Sequence, residues 1–322
     1  MGRRKAISDV FDFLDNHLHV PGPQLVPYGY FYMSLASYFF RNQNTDYDLL
    51  KKYFWYYSFH REDLLSNTTQ LSEHIQKMRV AKSGNTFEFG RFLIDRDGLR
   101  NTTYSSRGRL SRAILALYAN QDPKDWRFPD RSVLTSVYYS LTDQPNLHHI
   151  FPLNFCETVL GKRGRAGNSL LNIAYLTQLT NLQISDRNPV EYVKDYAHHR
   201  IEIERTHLLP GELFGWALAG SVREDALDTF IDARLDLLLE RLRRYLDGIP
   251  FEVVDTRSST KDPSSTPQDV VSHGSQAKEP AALRESLLQI GAEGGSVTIF
   301  RERKAGDVWW FHMKTEIGRA HV

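Results

Sequence analysis

Apolar residues recur at helical spacing through most of the chain. From Glu224 to Asp247, the positions Leu227, Ile231, Leu235, Leu238, Leu242 and Leu246 form one stripe. Arg241, Arg243 and Arg244 fall in the last turns, where cations suit the helix dipole. Gly248-Ile249-Pro250 then stops the helix. A second broad face is formed by Leu49, Leu50, Tyr53, Phe54 and Tyr57, with Asp46 placed to cap it. Further helices are predicted over Thr69 to Met78 and over Ser106 to Tyr118, where Leu110, Ile114, Leu117 and Tyr118 make a packing face. The window Tyr28 to Phe40, approached through Pro21, Pro23 and Pro27, is too short and too rich in tyrosine to span a bilayer. It reads as a buried helix.

The pattern changes after residue 254. Residues 255–280 are dominated by Ser, Thr, Pro, Asp and Lys and read as a flexible linker. Beyond it, Ala281 to Ile290 reads as a helix. Val297 to Phe300 and Val308 to Phe311 read as the strands of a hairpin turning at Lys304-Ala305-Gly306-Asp307. The fold class is therefore expected to be α+β, with a helical scaffold over 1–105 and a chemistry-bearing unit with flanking helices over 106–254. The linker and a partial β-containing unit over 281–315 follow. The last stretch, Glu316-Ile317-Gly318-Arg319-Ala320-His321-Val322, matches the in-frame translation of a sequencing adapter. It is expected to be a non-native tail, the hairpin then belonging to a truncated domain.

Composition narrows the classes. A chain of 322 residues, 41% hydrophobic, can bury a sizeable core. A formal net charge of +1 gives no global attraction for nucleic acid, so any such affinity rests on local patches. The single cysteine, Cys156, excludes an intrachain disulfide framework and zinc ribbons built on cysteine pairs, and suits the cytoplasm. Met1-Gly2-Arg3-Arg4-Lys5 is basic, but Asp9, Asp12 and Asp15 break the apolar run a signal peptide needs. The expectation is a cytoplasmic protein with no membrane partner.

Candidate chemistry gathers in Asn146-Leu147-His148-His149-Ile150-Phe151-Pro152 and, downstream, in Leu171 to Asn181. Phosphodiester hydrolysis needs a base for water and a cation at the leaving oxygen, and two histidines followed by two asparagines can supply both. Neighbours in a strand point to opposite sides, so His148 and His149 divide labour only if the strand ends there and turns, as Pro152 suggests. A His-His pair alone is weak among 12 histidines, and His198-His199 is read as a chance pair. Asn172 and Asn181 singly are more often turn or cap residues, so only their joint spacing counts. The loop Gly161-Lys162-Arg163-Gly164-Arg165-Ala166-Gly167 either clamps phosphates or is a solvated surface. Arg187 either contacts phosphate or pairs with Asp186 or Glu191. The aromatic run Tyr53 to Tyr57 is read as core packing.

These residues resemble the C-terminal nuclease half of the GmrSD-type modification-dependent restriction endonucleases, which carry a His-Asn-His, or His-Me finger, site. The resemblance rests on His148-His149-Ile150-Phe151-Pro152, on Asn168 to Thr177, on Asn181, and on Asp186-Arg187-Asn188-Pro189-Val190-Glu191-Tyr192. It is fullest from about Arg107 to Val193 and extends to Ala6 to Met78 through Asp12-Phe13-Leu14-Asp15-Asn16 and Tyr53 to Phe59. It implies a ββα-metal finger in which His149 is the general base, with His148 and Asn181 as metal ligands. Asn172, in the second strand, holds the hairpin loop and orients the base. Also implied are one divalent ion, Mg²⁺ or Mn²⁺ first with Ni²⁺, Co²⁺ or Zn²⁺ as alternatives, and double-stranded, modified DNA as partner. Lys162, Arg163, Arg165 and Arg187 are the weaker phosphate-contact candidates.

Two departures matter. Relatives often carry Asp or Glu where His148 stands, and an imidazole there moves preference toward later first-row metals. Full-length relatives begin with a nucleotide-dependent domain marked by an Asp-Gly-Gln-Gln-Arg type motif, which this sequence lacks, so the chain is read as a fragment. The alternatives are a non-catalytic nucleic-acid-binding or partner-binding scaffold, and a structural zinc site using His148, His149 and His207.

Overall fold

The computed structural model describes residues 2–42, 44–82, 86–134, 145–162, 167–255, 297–305 and 308–315. They belong to two compact units, Met1–Lys261 and Asp262–Val322. The chain is α+β.

The first unit opens with α1 (Gly2–Asp12), which runs on into a π-turn at Phe13–His17. α2 (Tyr30–Phe39) is the buried aromatic helix expected from its sequence. α3 (Tyr47–Phe59) starts where Asp46 accepts a bond from Leu49 N. Its run Tyr53-Phe54-Trp55-Tyr56-Tyr57 is buried on all sides, the behaviour of a helix inside a core and not on its surface. α4 (Thr68–Ala81) begins with a capping box, in which Asn67 and Gln70 each satisfy the other's backbone N–H. Next come β1 (Phe92–Asp95), α5 (Arg96–Arg100) and α6 (Arg109–Asn120). α6 packs on α3, and Arg109 donates to the carbonyls of Ser58 and His60 at 2.9 and 2.8 Å. Residues 1–105 and the helices that follow thus share one core.

β2 (Pro145–His149), α7 (Leu153–Thr158), β3 (Ile173–Thr177) and α8 (Gln178–Ile184) follow. β2 and β3 pair antiparallel, with His149 opposite Ile173, His148 opposite Ala174 and Leu147 opposite Tyr175. α9 (Pro189–Asp195), α10 (Arg200–His207) and α11 (Glu212–Ala219) lead to α12 (Ala226–Tyr245), the long helix read from its leucine stripe. α5 is clipped to α12 by Arg96 to Asp236 at 2.6 Å and by Arg100 to Asp232 and Asp228 at 2.7 and 2.9 Å. β4 (Phe251–Val254) then returns to pair in parallel with β1, Phe92 opposite Phe251.

The second unit contributes β5 (Val297–Ala305) and β6 (Val308–Thr315), an antiparallel hairpin longer than its apolar segments alone predicted, with a register shift between Ile299 and Arg301. The expected helix over Ala281 to Ile290, residues 256–280 of the linker and the tail 316–322 lie outside the described residues. No helix among the described residues is long and apolar enough to cross a membrane.

Candidate functional site

A β-strand pair followed directly by a helix, β2-β3-α8, carries the candidate residues. Thr177 ends β3 and caps α8. The cap is held from outside by Asp125, a buried carboxylate that accepts from the Thr177 and Thr180 hydroxyls at 2.6 and 2.9 Å. Asp125 also accepts from the backbone N–H groups of Arg127 and Phe128, at 2.8 and 3.2 Å, so its charge is spread over four donors. This anchoring sets the angle at which α8 leaves the sheet and brings Asn181, one turn in, back over β2.

His148 meets it there. Its Nδ1 lies 2.9 Å from Asn181 Oδ1. Because that oxygen only accepts, Nδ1 carries the proton and Nε2 is left with a lone pair, buried and without a hydrogen-bond partner. The ring stands edge-on to Tyr192, centroids 5.8 Å apart. Only 4% of His148 is exposed. Burial pushes its pKa down to about 4, against the bond to Asn181, and the adjacent His149 adds to the depression. His148 is neutral at pH 7.

His149 is the last residue of β2, and alternation places it on the opposite face, the side of Leu147 and Tyr175. It is half-buried and interacts with Asn168. Burial lowers its pKa below the ordinary histidine value, and the Asn168 bond partly offsets this, so the unprotonated ring dominates at neutral pH. The strand ends here.

Asn172 is fully buried and holds that end together. Its Oδ1 accepts from Phe151 N at 2.8 Å, while its Nδ2 donates to Phe151 O and Gly167 O, both at 2.9 Å. Its backbone carbonyl accepts from Ile150 N at 2.9 Å, and Tyr192 Oη donates to Ile150 O at 2.5 Å. Every polar group of the Ile150-Phe151 corner is satisfied from the far side of the motif. Asn172 sits not in β3, as the sequence suggested, but in the 3₁₀ turn Leu170–Asn172 just before it. The turn is what frees its side chain to reach across to Phe151.

The phosphate candidates are placed less favourably. Lys162 pairs with Asp228 at 2.8 Å, and Arg187 pairs with Asp195 at 2.9 Å and not with Asp186 or Glu191. Arg163 and Arg165 lie outside the described residues. The structural zinc reading loses its third ligand: His207 is buried and bonds Lys124 O at 2.7 Å. Among the described residues no three His, Cys, Asp or Glu side chains gather as a metal cluster. The rings of His198 and His199 lie 3.8 Å apart, centroid to centroid, tilted by 52° to each other, in a 3₁₀ turn after α9.

A single divalent ion nevertheless fits the His148-Asn181 pair. His148 Nδ1 and Asn181 Oδ1 would hold it once Nδ1 gives up the proton it carries here, with Nε2 taking that proton instead. An imidazole nitrogen with a carboxamide oxygen is a donor set for first-row ions.

Asp125 and Arg234 matter here and were not singled out in the sequence, while Asn168 and Tyr192 lay within the stretches that carry the resemblance but were given no role of their own. Arg234 alone left a legible signal, a cation inside the apolar stripe of α12 between Ile231 and Leu238. Compared with protein-family models, curated proteins and solved structures, the chain matches none.

Proposed function

We propose that this protein is a metal-dependent endonuclease that hydrolyses phosphodiesters of double-stranded, modified DNA. The observation that carries the reading is the ββα unit with His148 and Asn181 at 2.9 Å and a neutral, half-buried His149 at the strand end. His149 takes the proton of the attacking water, a role open to an imidazole that is unprotonated at pH 7. Asn172 keeps the Ile150-Phe151 corner closed, so the ring cannot swing away as charge develops on it. His148 and Asn181 would hold the ion, which when bound stabilises negative charge on the phosphate and leaving oxygen. Restriction of phage DNA in the cytoplasm is the setting this chemistry suits, with a nucleotide-dependent domain as the further partner.

The test is nicking of supercoiled plasmid bearing modified cytosines, with Mg²⁺, Mn²⁺, Co²⁺, Ni²⁺ or Zn²⁺. Metal-dependent cleavage to 5′-phosphate and 3′-hydroxyl ends, abolished in His149→Ala at unchanged Tm, is the expected result. A second reading, a nucleic-acid-binding scaffold without turnover, is favoured by one observation: no carboxylate among the described residues acts on His148. Salt-dependent DNA binding indifferent to chelator, with no cleavage by any of the five ions, would establish that reading and sink the first.

A further inference from the structure

Arg234 is wholly buried in the middle of α12, and none of its hydrogen bonds goes to a carboxylate. A guanidinium cannot shed its charge inside a protein, so burial on these terms costs several kcal/mol, of order, unless its donors are filled. Four backbone carbonyls take four of its five N–H groups. Nη1 donates to Leu171 O at 2.9 Å and Ile173 O at 2.7 Å, Nη2 to His207 O at 2.9 Å and Nε to Leu208 O at 3.1 Å. The last two close α10, whose C-terminal carbonyls are the negative end of a helix dipole. The Tyr118 ring lies 4.2 Å below the guanidinium carbon.

Leu171 and Ile173 flank Asn172. Carbonyls alternate between the two edges of the segment where the 3₁₀ turn runs into β3, as their bonds show. The Asn172 carbonyl points inward and accepts from Ile150 N of β2's continuation, whereas those of Leu171 and Ile173 point to the outer edge. Among the described residues β2-β3 is a two-stranded sheet with no third strand on that edge. Nη1 bridges two successive outward carbonyls, as a neighbouring strand's N–H groups would. The stretch that bears Asn172 is thereby fixed from outside while Asn172 fixes Phe151 from inside.

We infer that Arg234 is a positioning residue for His149, acting through Leu171, Ile173 and Asn172 to lock the register of the hairpin. The consequence of losing the lock is specific. A one-residue slip of a strand exchanges its faces, and here it would swap His148 and His149. Only the activity arm of the test rests on the endonuclease reading.

The test compares Arg234→Met and Arg234→Lys with Leu238→Ala, a cavity one turn along the same buried face of α12. Amide hydrogen exchange is followed at Ile150 and Phe151, whose N–H groups bond Asn172, and at the α3 core. In Arg234→Met, protection of Ile150 and Phe151 is expected to fall at least tenfold more than that of α3. Arg234→Lys, with fewer donors, is expected to lie between. Leu238→Ala is expected to lower all sites together. On modified plasmid, Arg234→Met is expected to lose at least tenfold in kcat with KM unchanged, and Leu238→Ala to keep wild-type kcat while folded. Uniform loss of protection in Arg234→Met, or the same selective loss in Leu238→Ala, overturns the inference. If Arg234→Met does not fold, Arg234→Lys gives the same discrimination. If the wild-type protein cuts no DNA, exchange still decides the role of Arg234, and the endonuclease reading fails separately.

Discussion

Lowering the pH from 7 to about 4 is expected to unfold the first unit, chiefly through three buried histidines: His148, described above, and His74 and His207. His74 lies 2.7 Å from Tyr53 Oη through Nδ1 and 3.0 Å from Leu64 O through Nε2. The carbonyl only accepts, so Nε2 carries the proton and Nδ1 accepts from the phenol; a second proton would force the phenol hydroxyl to turn away and accept. Burial pushes the His74 pKa down to about 4. His207, whose Nε2 donates to Lys124 O, is pushed down to about 4 by burial, with the Arg234 guanidinium opposing a second positive charge. All three histidines bind protons more weakly folded than unfolded. Between about pH 4 and 6.5 the unfolded chain therefore carries more protons, and stability rises with pH across that window and is fully present above it. At about 1.4 kcal/mol per pH unit, each histidine accounts for about 3 kcal/mol, and the three together for a large part of a typical domain stability of roughly 5–15 kcal/mol. Urea unfolding at a series of pH values, read by the fluorescence of the buried Trp55 and Trp126, gives the slope. Near pH 5 it is expected to approach three protons, or roughly 3.5 kcal/mol per pH unit, one each from His74, His148 and His207. His74→Gln and His207→Gln are each expected to remove about one proton from it. Unchanged slopes in both variants would show that these rings titrate at their ordinary value and refute the burial argument.

Two further outcomes are expected. Asn172→Ala orphans Phe151 N, Phe151 O and Gly167 O, a loss of about 3 kcal/mol or more by urea unfolding; a loss under about 1 kcal/mol would mean that water enters and replaces the carboxamide. Added Mn²⁺ or Ni²⁺ is expected to raise Tm by mass action, and His148→Ala or Asn181→Ala to abolish the rise; a rise that persists in both variants places the ion elsewhere.

What was legible in the sequence was local. The leucine stripe of α12, the Asp46 cap of α3 and the aromatic burial of α2 each depend on residues within a few turns of one another. The strand ending at His149 was legible too, through Pro152. The β1-β4 pair was not: Phe92 and Phe251 face each other across about half of the chain, and neither four-residue strand has a pattern that names its partner. Asp125 and Arg234 escaped for the same reason. A lone charged residue looks like surface in a sequence, and only the fold shows the four donors gathered round one and the four carbonyls round the other. Asn172 was found, but as a strand residue. Its reach across to Phe151 depends on a 3₁₀ turn whose single cue is the Ser169 side chain accepting from Leu171 N.

An isolated two-stranded hairpin is marginal in water, so the geometry at His148 and His149 has to be imposed by the helices around it. Each surrounding element supplies one polar hook: Asp125, in the loop after α6, to the start of α8; Tyr192 of α9 to Ile150; Arg234 of α12 to the turn before β3. α12 is itself tied to α5 by Arg100, whose carbonyl accepts from Ser169 Oγ at 2.9 Å at the entry to that turn. The scaffold and the candidate site therefore form one polar circuit, closed through backbone carbonyls more than through side-chain pairs. In such a circuit the cost of a broken link falls on the groups left unpaired next to it. Damage to a helix remote in sequence is thus transmitted to the Ile150-Phe151 corner. The two histidines are the part of this arrangement that a sequence displays, and the carbonyl contacts that orient them are the part it hides.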